Sequence, residues 1–364
     1  PVDDLLVSEE QDNNLTYFAF ANPPNEKPKK AAAVTAQTKV RIGALPELLA
    51  GRYRIERLLG AGGMGAVYRA RDLLGEQFGD PDPYIAVKVL SEEFAETPDA
   101  SALLYSEFAL TRRLRHDNVL RLHSFEVDTD CQRAFITMEL MRGLTLDKLL
   151  CERPLGLPWN ELRKIVLPLL DALAYTHARG VVHRDIKPEN LFLLRGERAD
   201  DDRVRIKVLD FGVSKSIVAT DEDQRLTGAK AMLGSPPYMS PEQVRSPKTV
   251  DTRADVWAMG IVMYELLTAR LPFRGQEVQE TFAMILERDP PRLRDIAPEV
   301  PAGLEDAIRK CLTKNRDERF QTVGELATAL VAFGSGTWTH AAEEIRRTLS
   351  RPLPDDTGVS RSKP

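Results

Sequence analysis

From Tyr53 onward the hydrophobic pattern shifts between two periods. "YRIERLLGAGGMGAVYRARDL" (53–73) reads as strand, glycine turn, strand, and "YIAVKVL" (84–90) as a third strand, each a short apolar run bounded by turn residues. Leu103, Glu107, Leu110 and Leu114 recur at i, i+4, i+7 and i+11, which predicts a helix over 99–115 with those four on one face. "RLHSFEVD" (121–128) and "RAFITMEL" (133–140) read as two further strands. After "MRG" (141–143) the pattern is mainly helical, over 145–151, 159–179, 251–268, 275–288, 302–312 and 322–332, interrupted by strand-like pieces at 191–194 and 205–209. The segment "RDLLGEQFGDPDP" (71–83) is long for a hairpin loop and rich in turn residues, and reads either as a neutral insertion or as a docking surface. No internal repeat is visible.

These shifts predict an α+β chain in four parts. Residues 1–50 are a linker-like N-terminal extension, 51–142 a small antiparallel sheet with one helix, 143–332 a larger, mainly helical part, and 333–364 a tail with one helix in "THAAEEIRRTLS". Within the extension, "NPPNEKPKKAAAVTAQTK" (22–39) has linker composition, while "LTYFAF" (15–20) reads as a strand, a docking segment or part of a disordered arm.

Composition narrows the class. A chain of 364 residues with 43% hydrophobic and 29% charged residues can bury two sizeable cores as ordinary globular protein. A net charge of −5 argues against a nucleic-acid binder held by bulk charge. Cys131, Cys151 and Cys311 are scattered without metal-ligand spacing, as expected of free thiols in a reducing, cytoplasmic setting. No apolar run is long enough for a membrane span, and "PVDDLLVSEE" lacks the regions of a signal peptide.

Several stretches carry chemistry. Gly60, Gly62 and Gly65 lie between two strands, where a backbone without side chains can approach a phosphate or simply make a flexible hairpin. The dinucleotide-binding version is excluded, because a strand and not a helix follows. Lys88 has apolar neighbours in "IAVKVL" and reads either as an edge-strand lysine facing water or as the partner of Glu107, a carboxylate set in an apolar helical stripe; Arg112 and Arg113 compete for Glu107. Asp210 ends a strand beside Gly212 and reads either as a turn aspartate or as a ligand to a hard cation. In "VVHRDIKPENLFLL" (181–194), apolar flanks enclose His183, Arg184, Asp185, Lys187, Glu189 and Asn190, and charges in such surroundings need partners or a task.

The order of these pieces, glycine loop, Lys88, Glu107, "HRDIKPEN", "DFG" and "GSPPYMSPEQ", resembles the eukaryotic-type (Hanks-type) serine/threonine protein kinases, most of all their soluble bacterial members, over roughly 53–332. The resemblance implies a two-lobed kinase fold and transfer of phosphate from ATP to Ser/Thr hydroxyls of proteins, with autophosphorylation of the activation segment. It implies Asp185 as the residue that accepts or orients the hydroxyl proton, Lys187 as the cation on the transferring phosphoryl group, and Asn190 and Asp210 as ligands to Mg2+, with Mn2+ a substitute. Lys88, held by Glu107, would meet the nucleotide phosphates. Leu59, Val67 and Ala86 would wall an adenine slot floored by Phe192, with Met138 behind it and the Glu139 carbonyl and Met141 backbone meeting the base.

Residues 210–242 resemble an activation segment. Arg184 would bind a phosphate on Thr227 or, second, Thr220, although both could be unmodified loop residues. Glu242 would pair with Arg319, and Asp255 would brace the catalytic loop. "SPE" stands for the usual "APE", and Thr111 replaces a larger apolar residue, an expected looseness in the helix carrying Glu107. A cognate phosphatase and phosphothreonine-reading partners also follow from the resemblance. Two alternatives stand beside the active kinase: a pseudokinase acting as a nucleotide-gated scaffold, which the presence of Lys88, Asp185, Asn190 and Asp210 argues against, and a small-molecule phosphotransferase, which would not need "GSPPYMSPEQ".

Overall fold

The computed structural model describes residues 45–62, 65–90, 95, 100–195, 204–211, 236–334 and 336–351. They fall into two units: the described residues within 45–115, 119–149 and 188–211 form the first, and those within 116–118, 150–187 and 236–351 the second.

In the first unit, β1 (Leu48–Leu49), β2 (Tyr53–Gly62), β3 (Gly65–Asp72), β4 (Tyr84–Leu90), β5 (Leu122–Asp128) and β6 (Arg133–Glu139) form one antiparallel sheet in the order β1-β2-β3-β4-β6-β5. Side chains alternate between its faces. Val87, Val89 and Phe135 join Leu49, Tyr53 and Ala70 in one cluster, while Ala86, Leu90, Ala134, Ile136 and Met138 join Leu59 and Val67 in another. The second cluster is shared with Ala100, Leu104 and Phe108 of the helix α2 (Ala100–Thr111), which packs on that face. The helix buries Ala100, Leu103, Leu104, Glu107, Phe108 and Thr111, whereas Leu110, expected in the stripe, is only partly buried.

Two short elements were not legible as periodic patterns. Residues 48 and 49, assigned to the extension, belong to the sheet: Leu49 is fully buried, and in the turn that follows the Ala50 N–H donates to Asp128 Oδ2 at 2.6 Å. Two residues cannot display a period. Within 71–83, α1 (Leu73–Gln77) is capped by the Asp72 carboxylate, which accepts from the Leu74 N–H at 3.1 Å and is gripped by Arg52 at 2.7 and 2.6 Å.

A second, three-stranded antiparallel sheet, β7 (Gly143–Thr145), β8 (Leu191–Leu194) and β9 (Arg205–Val208), belongs to the first unit too. The Leu120 N–H donates to the Val208 carbonyl at 3.0 Å, so this sheet groups with 119–149 and the grouping departs from a linear cut at 142/143. The boundary at 149/150 falls inside α3 (Leu146–Glu152).

The second unit is helical, with α4 (Trp159–His177), α5 (Pro241–Arg245), α6 (Arg253–Thr268), α7 (Val278–Glu287), α8 (Ala302–Cys311), α9 (Val323–Leu330) and α10 (Trp338–Ser350). Helix α4 is amphipathic and buries Leu162, Ile165, Val166, Leu169, Leu170 and Leu173. Helix α6 is apolar all round, as its central position requires: 14 of its 16 residues are buried. Its Gly260 has no room for a side chain, since a Cβ would lie 2.6 Å from the Cβ of Cys311 in α8. The helix predicted at 339–350 is α10, which buries Trp338, Ala342 and Ile345 and sets Trp338 against Trp159 at 5.9 Å between ring centroids.

Candidate active site

In the first unit the chemistry gathers around Lys88. It shares its sheet face with Ala86 and Leu90, the face that α2 covers, and there its ammonium meets two carboxylates. Lys88 Nζ lies 3.0 Å from Glu107 Oε1 and 3.0 Å from Asp210 Oδ1. Burial alone would pull its pKa down; the charges of Asp210 and Glu107 and their hydrogen bonds outweigh this and hold it above the usual lysine range. Burial, reinforced by Asp210 and opposed by Lys88, pushes the Glu107 carboxyl up. Of the competing arginines, Arg112 lies over the Phe108 ring, 5.3 Å from its centroid.

Asp210 follows β9 with φ at +26°, outside the usual backbone regions. The Leu209 N–H donates to the Asn190 carbonyl at 2.9 Å, tying together the two chain segments that carry Asn190 and Asp210. Among the described residues there is no cluster of three or more His, Cys, Asp or Glu able to hold a metal alone. One carboxylate and one amide are a donor set suited to Mg2+, which takes one or two carboxylates and draws its other ligands from phosphates and water.

The apolar residues expected around an adenine share one cluster. Leu59, Val67, Ala86, Met138 and Phe192 are its buried members and Met141 packs against it partly buried. Glu139 follows at the end of β6. Its carboxylate is engaged as well: Oε1 accepts from Lys207 Nζ at 2.9 Å and from the Arg121 N–H at 2.7 Å, two partners no sequence motif indicated. Gly60 pairs with Val67, and Gly62 with Gly65. Gly65 is required by the sheet itself, since a Cβ there would lie 2.2 Å from the Val89 carbonyl oxygen.

In the second unit, Asp185 and Lys187 are neighbours, with Lys187 Nζ 3.4 Å from Asp185 Oδ2. The loop that carries them is fastened to Asp255, fully buried in the first turn of α6. Asp255 Oδ1 accepts from the Arg184 N–H, and Oδ2 from the His183 N–H and from His177 Nε2, all at 2.8 Å. Burial would raise the Asp255 pKa, but the His177 hydrogen bond, the nearby imidazoles and the backbone donors leave it below the ordinary aspartate value. His177, which sequence reading did not single out, completes this clamp. Arg184 adopts φ +64°, unusual for a non-glycine residue, and donates from Nη2 to the Val250 carbonyl at 3.4 Å.

Glu242 lies in α5 and grips Arg319 through two parallel contacts, Nη1 to Oε1 at 2.7 Å and Nη2 to Oε2 at 2.8 Å. The remaining guanidinium donors reach the carbonyls of Thr313, Arg253 and Lys314, and the Trp257 ring lies 5.0 Å away. Thr220, Thr227 and Gly212 lie outside the described residues.

The chain matches the protein kinase domain family over residues 53–330. It is 32% identical to the serine/threonine-protein kinase Pkn1 of Myxococcus xanthus over 86% of this chain and 42% of that protein. It is 37% identical to pkn3 of the same organism over 74% of this chain and 48% of that protein. The chain therefore spans just under half the length of these curated relatives. Among solved structures, the PknI kinase domain of Mycobacterium tuberculosis superposes with a TM-score of 0.59 at 26% identity, covering 80% of this chain and all of that domain. With antiparallel strands, helical unit and family signature all agreeing, this chain belongs to the protein kinase family.

Proposed function

We propose that this protein transfers the γ-phosphoryl group of ATP to serine and threonine hydroxyls of proteins, its own activation segment among them. The observation that carries the reading is Lys88, held partly buried between the carboxylates of Glu107 and Asp210 at 3.0 Å each. A largely enclosed cation fixed by two anions is oriented for a polyanionic ligand, and the full polar set, Lys88, Asp185, Lys187, Asn190 and Asp210, supports catalysis over a scaffold role.

In this reading Asp185 orients the acceptor hydroxyl and takes its proton, and Lys187 steadies the phosphoryl group in transfer. Lys88 binds the nucleotide phosphates, and the cluster of Leu59, Val67, Ala86, Met138 and Phe192 receives the adenine. Asp210 and Asn190 would hold Mg2+, or Mn2+ in its place; such an ion, when bound, neutralises charge on the phosphates. Arg184 is the residue through which phosphate on Thr227 or Thr220 would order the segment between them. The setting is cytoplasmic, with protein substrates, a cognate phosphatase and phosphothreonine-binding partners; among the described residues, no helix is long and apolar enough to cross a membrane.

The test is incubation with labelled ATP, Mg2+ and a generic basic protein, beside Asp185→Ala. Label on serine or threonine with the parent chain only is the expected result. Equal labelling by both proteins, or nucleotide binding without any transfer even with Mn2+, would overturn the reading.

A further inference from the structure

Gln243 stands beside Glu242 in "SPEQ", whose S-x-x-Q spacing gives it a helix-capping part and nothing more. Its amide is committed on both sides. Oε1 accepts from the Ser240 backbone N–H at 3.0 Å and from the Ser240 hydroxyl at 3.1 Å, closing the N-terminal capping box of α5. Nε2 does something a cap does not need: it donates to the Arg184 carbonyl at 2.9 Å, 59 residues earlier in the chain.

The carbonyl it holds belongs to the peptide group that leads into Asp185. Arg184 is in the left-handed region at φ +64°, a conformation that persists in a non-glycine residue only where its surroundings enforce it. Those surroundings can be named. The Arg184 N–H is held by Asp255 Oδ1 at 2.8 Å. Beyond Arg184, the peptide plane has its N–H, that of Asp185, directed to His183 Nδ1 at 3.2 Å. Its C=O is directed to Gln243. A peptide group moves as a rigid plane, so fixing its two polar ends fixes the direction from which the chain enters the Asp185 Cα.

We propose that Gln243 is a positioning residue for Asp185, its side-chain N–H holding the Arg184–Asp185 peptide plane in place. The inference rests on the reading above, in which Asp185 orients the acceptor hydroxyl. It also joins the α5 turn, which follows the activation segment in sequence, to the catalytic loop through one amide.

Capping and positioning use different atoms, which makes them separable. Gln243→Glu keeps an oxygen for the Ser240 N–H but replaces the donor with a second oxygen facing the Arg184 carbonyl. Gln243→Met keeps side-chain length and removes both polar contacts without adding charge. The full chain is assayed with ATP, Mg2+ and a generic basic protein, with turnover normalised to folded protein and with Asp185→Asn as control. Both Gln243 variants are expected to lose kcat by about 10- to 100-fold, the range that small misplacement of a reacting group produces. KM for ATP should stay within about twofold, because the Gln243 side chain contacts Ser240 and the Arg184 carbonyl and, among the described residues, hydrogen-bonds to none of the groups proposed to receive the adenine or, with Lys88, the nucleotide phosphates. Wild-type kcat in both variants while Asp185→Asn is inactive would overturn the positioning role. So would a loss that merely tracks the unfolded fraction. Full activity of Asp185→Asn would instead refute the assignment of Asp185 itself, whatever Gln243 does.

Discussion

Replacing Glu242 with glutamine tests whether the Glu242–Arg319 pair carries the stability that its geometry implies. The Arg319 side chain is fully buried and all five of its N–H groups are engaged: two by Glu242, and three by the carbonyls of Thr313, Arg253 and Lys314. The substituted amide could still accept one hydrogen bond, but the guanidinium charge would stay buried without a counter-charge. Breaking a buried pair from one side costs about 3–5 kcal/mol. Trp159, Trp257 and Trp338 are the only tryptophans and all lie in the second unit, so urea unfolding followed by tryptophan fluorescence reports that unit. With a slope of about 2–3 kcal/mol/M, the midpoint should fall by roughly 1–2 M. The double variant Glu242→Gln with Arg319→Met removes both charges but strands three carbonyls, each worth about 1 kcal/mol or more when unsatisfied. It should therefore remain destabilised, yet by less than the sum of the single variants, with a coupling of about 2 kcal/mol or more. A Glu242→Gln loss under about 1 kcal/mol, or additive singles, would refute the reasoning.

Other expectations follow from buried polar groups. Burial among Trp257 and Phe273, with the Arg319 charge adding to it, pulls the Lys314 pKa down to about 8. Below that pH both folded and unfolded states carry the proton and the cost is constant; between about 8 and the ordinary lysine value of 10.5 the unfolded state binds the proton more, so stability rises with pH, and Lys314→Met should flatten that rise in urea titrations. Asp255 has a depressed pKa, so its contribution is present above the ordinary carboxylate range and lost as pH falls through the folded value; Asp255→Asn should lower stability at pH 7 and reduce the further loss in acid unfolding below about pH 4. The Thr111 hydroxyl is buried without a hydrogen-bond partner among the described residues, so Thr111→Val should stabilise α2 by about 1 kcal/mol, read as slower amide exchange along the helix.

Much of this molecule was legible because its signals are local. The helical spacing of Leu103 and Glu107 put a carboxylate inside an apolar stripe and made Lys88 one candidate partner beside Arg112 and Arg113; the structure gives Glu107 to Lys88, only 19 residues away in the chain. The order of the motifs carried the family.

Partners chosen by packing across long stretches of chain had no such local signal. His177 joins the Asp255 clamp from 78 residues away, Lys207 holds Glu139 from 68, and Gln243 reaches Arg184 across 59. Helix α6 is buried all round, so its sequence has no polar face to say which neighbour each side meets. The glycine at 65 read as a phosphate approach or a hairpin residue, and packing adds a separate need for it, since a side chain there would meet the Val89 carbonyl of the adjacent strand. Periodicity fixes which face a residue occupies, because it follows from backbone geometry repeated every few residues. The atom that a buried polar group meets on that face depends on how separate elements dock, and no local repeat records that.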